Sequence, residues 1–166
     1  MPRFSVNSKR MDPYRGFKFR LKIDNEYVVG LSKCGALKKS TEVVEFREGG
    51  DPSHSRKMPG LTKYEPITLE AGITFDSTFE DWANLVNNFK GDSSMSLAGF
   101  RKEFITLDVF NLQDVKIKSY VIYRPWVSEY QALPELNASE NGVMIQTLTI
   151  QNEGWESDGV KEMAET

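Results

Sequence analysis

The chain has 166 residues, enough for one domain with a real core and no need of disulfide or metal staples. Its 21 basic and 24 acidic residues leave a net charge of −3, which excludes the clustered basic footprint of a dedicated nucleic-acid binder. A single cysteine, Cys34, and a single histidine, His54, exclude an intrachain disulfide and a Cys/His zinc site, and no stretch approaches the roughly 18 apolar residues of a membrane span.

Residues 1–14 are polar and basic and lack the apolar segment of a signal peptide, so synthesis in the cytoplasm is expected. From Phe17 to Asp24 apolar and polar residues alternate without a break, the period of a strand with one buried and one wet face. Asn25 and Glu26 then read as a turn, and Tyr27 to Val29 as the return strand. Gly30 and Gly35 bracket a short kinked piece. Thr41 to Arg47 is a strand rich in β-branched residues. Residues 48–63 hold Gly49, Gly50, Pro52, Pro59 and Gly60 and read as a long charged loop, a length that is often functional.

Ile67, Leu69, Ala71 and Ile73 alternate with polar partners and give another half-buried strand. Ser77 and Glu80 have the spacing of a capping box. Phe79, Trp82, Val86 and Phe89 follow at helical spacing, so one amphipathic helix is expected over about 77–89, stopped by Gly91. After a Ser/Gly-rich connector, residues 105–109 and 115–118 read as a hairpin around the turn 111–114, with Pro125 ending its second strand. A loop covers 133–141 and a last strand 143–152, apolar or β-branched on both faces. The pattern predicts a mainly β fold of about seven strands, an antiparallel barrel or sandwich with one packed helix. A single domain is expected over 1–166, with an N-terminal arm at 1–14 and a C-terminal tail at 157–166.

None of the usual catalytic patterns is present. The loop glycines lack the spacing of a phosphate cradle. His54 lies in a polar, turn-rich stretch rather than the rigid setting a general base needs. Carboxylate pairs such as Glu42 and Glu45 read as solvated acids, Cys34 as a small hydrophobe, and the tryptophans as core or interface anchors. No enzyme activity, metal or cofactor is expected. The alternation of Lys18, Arg20 and Lys22 suits a wet surface such as a channel wall, and equally the surface of an ordinary monomer.

Five stretches together resemble the tube proteins of contractile phage tails, phage-tail-like bacteriocins and extracellular contractile injection systems. They are residues 41–50 (TEVVEFREGG), 56–64 (RKMPGLTKY), the opening 12–19 (DPYRGFKF), the strand 67–74 (ITLEAGIT) and the closing block from Leu136 to Trp155. The resemblance implies hexameric rings stacked into a hollow tube. It further implies a sheath protein around the tube, baseplate or initiator and terminator proteins at its ends, and protein or DNA cargo in the lumen. The subunit itself does not insert into a membrane; it assembles in the cytoplasm and then forms part of a phage-tail-like particle, extracellular after release.

Within that frame, Glu45, Arg47, Glu48, Arg56, Lys57, Met58, Pro59, Leu61, Lys63 and Tyr64 are expected to make contacts between subunits and between stacked rings, the cations pairing with acids on neighbours. Pro13 and Tyr14 belong to an arm that orders against a neighbour, and Lys18, Arg20 and Lys22 face the lumen. Two alternatives stand beside this reading: an initiator or secreted ring of the same fold, and a monomeric β-sandwich binding module.

Overall fold

The computed structural model describes residues 17–28, 30–50, 55–74, 76–86, 101–139 and 142–158. The unbroken alternation at the start forms β1 (Phe17–Ile23). It turns through Asp24 and Asn25, at φ 50° and 68°, into β2 (Glu26–Tyr27). Two left-handed residues match the twist of a tight hairpin, and Asp and Asn tolerate that conformation. The turn therefore sits one residue earlier than the pattern suggested. The piece between the glycines is a strand, β3 (Leu31–Cys34), followed by β4 (Lys39–Phe46), β5 (Arg56–Tyr64) and β6 (Ile67–Gly72).

Among the described residues the single helix is α1 (Thr78–Val86); the expected continuation to Phe89 lies outside them. Ser77 accepts the first helical bond through its carbonyl, from the Asp81 N–H, and its hydroxyl donates to Asp81 rather than closing a box with Glu80. Asp76 takes the orphan N–H of Thr78. The remaining strands are β7 (Phe104–Asn111), β8 (Lys116–Tyr123), β9 (Trp126–Gln131), β10 (Ile145–Gln151) and β11 (Gly154–Asp158).

These strands form two layers and a separate ribbon. One layer is a five-stranded sheet in the order β11-β8-β7-β1-β2, and the other a four-stranded sheet in the order β3-β6-β10-β9. All pairs are antiparallel, and β1 matches β7 from Phe17↔Asn111 to Ile23↔Ile105. Leu21, Ile23, Ile105, Leu107 and Ile122 from the first sheet meet Ile67, Leu69, Ala71, Val127, Leu148 and Ile150 from the second. Phe79 and Trp82 of α1, which packs on the margin strand β9, complete this core. The sandwich expected from the sequence is thus present.

Two readings of the sequence are corrected here. The segment 48–63 is not one long loop: residues 56–64 form β5, which pairs with β4 from Lys39↔Tyr64 to Phe46↔Arg56. Its Pro59 and Gly60 look like loop residues, but a two-stranded ribbon has open margins that tolerate proline, and a register shift between Thr41 and Val43 absorbs an extra β5 residue. Nor does a tail begin at 157. Ser157 and Asp158 pair with Tyr120 and Ser119 as part of β11, while residues 159–166 lie outside the described set. Proline 125 does end β8, and the chain changes sheet there. Arg124, at φ 47°, makes the corner, its N–H donates to the Glu103 carbonyl, and β9 opens in the opposite layer.

Cys34 sits at the end of β3, half-buried, and burial pushes its thiol up to about 11. Native protein at pH 8 should therefore react with a maleimide on the order of 100-fold more slowly than unfolded protein, because the thiolate is the nucleophile. Equal rates in buffer and in urea would contradict this placement. The native state holds this proton more tightly than the unfolded chain. The associated stability is accordingly complete below the ordinary thiol range and is lost as pH rises through it toward 11.

Candidate assembly surfaces

The β4–β5 ribbon is exposed along almost its whole length. Every β4 residue is exposed, and in β5 only Tyr64 is even half-buried. The ribbon shows water Val43 (61% exposed), Val44 (50%), Phe46 (38%), Met58 (52%) and Leu61 (63%). Such a hairpin is marginal in water unless something covers it. Its root is fixed to the sandwich: Tyr64 packs edge-on against Trp155 with ring centroids 6.2 Å apart, and Lys39 lies over the same indole at 6.0 Å. Gly154 lies beside this contact. It has φ +149°, and a Cβ there would sit 3.4 Å from the Tyr64 ring.

Of the residues expected at contacts, Glu45, Arg56, Lys57, Met58, Pro59, Leu61 and Lys63 stand on the ribbon and Arg47 and Glu48 follow β4 directly. Tyr64 belongs to the root. The cations find acids within the chain: Lys57–Glu45 at 3.9 Å, Arg56–Glu48 at 3.6 Å and Lys63–Glu42 at 3.4 Å. These exposed pairs contribute about 0–1 kcal/mol each and mainly hold the two strands in register. The sequence reading passed over Val43, Val44 and Phe46, although apolar residues at 43 and 44 put a hydrophobe on each face of one strand. Pro13, Tyr14 and His54 lie outside the described residues.

The second surface is the outward face of the five-stranded sheet. Leu21 and Ile23 point into the core, so Lys18, Arg20 and Lys22 share the opposite face. There they are anchored. Lys18 pairs with Asp114 at 3.1 Å, Arg20 lies 5.1 Å from the Phe110 ring, and Lys22 lies 5.7 Å from the Tyr27 ring. At the centre of the same face Asp108 is only 1% exposed. It accepts hydrogen bonds from Ser119 at 2.7 Å and from the Tyr27 hydroxyl at 2.9 Å, and pairs with Lys116 at 3.4 Å. The bond to Asp108, then burial, then the Asp108 charge raise the Tyr27 pKa above its usual value. One carboxylate thus ties β2, β7 and β8 together, a cluster invisible in the sequence because its members are far apart in it.

The third feature is the pair of sheet margins. Among the described residues, β11 pairs only with β8, and β1 is covered by β2 only at Lys22 and Ile23. Among the described residues no helix is long and apolar enough to cross a membrane.

This is the architecture of tube-forming β proteins. The chain is similar to a chain of the anti-feeding prophage cap, the tube-terminating cap, at 18% identity and TM-score 0.75, covering 96% of this chain and 100% of that one. It is similar to a chain of the sheath–tube complex of an extracellular contractile injection system, PVC, at 20% identity and TM-score 0.72, over 89% and 93%. Hcp1 from Flavobacterium johnsoniae has 14% identity and TM-score 0.54, over 85% and 94%. No curated protein matches the chain. Residues 15–156 match the family model of the T4-like virus tail tube protein gp19, and the chain belongs to that family, whose members are structural proteins of the tail tube.

Proposed function

We propose that the chain is the repeating subunit of a contractile injection system's inner tube: it closes into hexameric rings, the rings stack, a sheath surrounds them, and sheath contraction drives the tube forward. The observation that carries this reading is the five-stranded sheet, which among the described residues has an open margin on each flank. Open margins recruit further strands, and closure into a ring satisfies all of them at once. The flanks also complement each other in charge. The outward face of β1 carries Lys18, Arg20 and Lys22, while β11 carries Glu156 and Asp158. Side by side at a ring junction, these favour the correct neighbour over a like-charged one.

In such a ring the outward face lines the lumen through which protein or DNA cargo passes, and the ribbon contacts other copies. The whole chain, 1–166, acts as one tube unit, with Pro13 and Tyr14 in an arm that meets a neighbour. Because the sheath supplies the work, the subunit needs no catalytic group or cofactor. The solved relatives come from baseplate, cap and sheath–tube complexes, which supports a sheath, a baseplate or initiator, and a terminator as partners. Assembly takes place in the cytoplasm and is followed by release in a particle; the likeness to a chain of an extracellular contractile injection system supports the release. A second reading, a ring at the end of the tube rather than along it, is favoured by the likeness to the cap chain.

Negative-stain electron microscopy of the purified protein, alone and with its tube and baseplate neighbours, tests the proposal. Stacked rings with a central hole are expected. Single rings that never stack would favour the terminal-ring reading, and a monodisperse monomer unchanged by those neighbours would overturn both.

A further inference from the structure

The two flanks of the five-stranded sheet match in length and in direction. β1 has seven residues, and β2 covers its free side only at Lys22 and Ile23, so Phe17 to Leu21 stay open among the described residues. β11 has five residues, Gly154 to Asp158, and among the described residues pairs only with β8. Every pairing from β11 through β8 and β7 to β1 is antiparallel, which makes β11 and β1 antiparallel to each other. Copies in a ring share one orientation, so β11 of one copy and β1 of the next run in opposite directions, as an antiparallel pair requires. The chain then leaves β11 after Asp158 at the end of the junction where the next copy's chain enters β1 at Phe17.

The stretches that meet there are oppositely charged. Residues 1–16 hold Arg3, Lys9, Arg10 and Arg15 against one acid, Asp12. Residues 156–166 hold Glu156, Asp158, Glu162 and Glu165 against one base, Lys161. Glu156 and Asp158 are exposed on the flank itself. Within one copy β7 and β8 stand between the two flanks, three strand spacings or roughly 14 Å in all; across a ring junction the separation is one spacing, about 5 Å. Attraction between exposed charges fades over about 8–10 Å at ordinary ionic strength, so the adjacent copy is the favoured partner.

We propose that residues 1–16 of one copy pair with residues 156–166 of the copy beside it in the same ring, a basic stretch laid along an acidic one across each junction. The inference rests on the tube reading and names the partner of the N-terminal arm.

Cross-linking tests it. In a Cys34→Ala background, Ser8→Cys and Ala164→Cys place one thiol in each stretch and leave every charge in place. A short bis-maleimide is added to isolated rings, and the products are separated on a denaturing gel. A ladder from two linked chains up to the full ring is expected, and in about 1 M salt, where screening acts within roughly 3 Å, its yield should fall roughly threefold or more. Full yield in that salt overturns the charge pairing. A fast-running monomer with an internal link shows that the stretches meet within one copy and overturns the proposal, as does unlinked product from intact rings. Links that form only after stacking assign the contact to adjacent rings and overturn it equally. A charge exchange gives a second measurement: Glu162→Lys with Glu165→Lys should weaken ring formation about tenfold, and Lys9→Glu with Arg10→Glu added to the same chain should restore it. Rings unaffected by the first pair, or not restored by the second, overturn the proposal while leaving the tube intact. If the unsubstituted chain forms no rings, the tube reading itself fails and this inference with it.

Discussion

Replacing Trp82 with alanine should destabilise the subunit by about 3–5 kcal/mol, the range for emptying a large buried aromatic site. Trp82 is 2% exposed and, with Phe79, is the means by which α1 reaches the core. A nine-residue helix has little stability of its own, so its docking depends on these two side chains. Urea denaturation followed by circular dichroism would show the shift, with a fall in Tm of roughly 10 °C. Trp82→Phe is the informative companion. The indole Nε1 is buried with no hydrogen-bond partner among the described residues. Phenylalanine therefore loses volume but no hydrogen bond, and should cost only about 1 kcal/mol. Equal losses for the two variants would mean that the indole N–H has a partner and that the packing argument is wrong.

Asp108→Ala should be the second most damaging change, at about 2–4 kcal/mol. Its carboxylate is buried, and its removal leaves the Ser119 hydroxyl, the Tyr27 hydroxyl and the Lys116 ammonium without their shared acceptor. Lys116 is partly exposed and recovers some hydration, which keeps the figure below that of a fully buried pair. Asp108→Asn should fall between the variant and the parent. The hydroxyls can rotate to suit an amide, whereas an ammonium cannot become an acceptor. A measured loss under 0.5 kcal/mol for Asp108→Ala would show that the three strands do not depend on this tie.

Parts of the fold were legible wherever one face of an element is apolar throughout. β1 and β6 alternate cleanly because Leu21 and Ile23 of the one and Ile67, Leu69 and Ala71 of the other are buried, and α1 announces itself through Phe79 and Trp82. The elements that escaped have physical reasons for doing so. β5 belongs to a ribbon with no buried face within the subunit, so nothing imposes alternation on residues 56–63. β11 is a margin strand with exposed polar residues from Glu156 onward, indistinguishable from a tail. β9 hides behind Pro125 because a chain that changes layers first has to break. Asp108 sits at a position that alternation assigns to water, and it is enclosed by residues from β2 and β8 rather than by its own neighbours. Among the exposed residues of the ribbon, the charged ones of 45–63 were found in outline. Their apolar companions Val43 and Val44 were not, because exposed hydrophobes on a strand ordinarily read as core.

The pairing of β1 with β7 also sets a clock. Phe17 meets Asn111, a partner more than ninety residues away along the chain. Contacts of that span form slowly, since a large loop is closed before any strand bond rewards it. For that interval β1 has only its short local pairing with β2 at Lys22 and Ile23, and its alternating apolar face is bare. A strand suited to joining another molecule is then most able to join the wrong one. With ring closure through this margin as proposed, folding and polymerisation compete for the same strand, and crowded synthesis of many copies favours the faulty outcome. The yield of sound particles is therefore governed by how quickly each newly made subunit hides β1, as much as by how tightly finished subunits hold together.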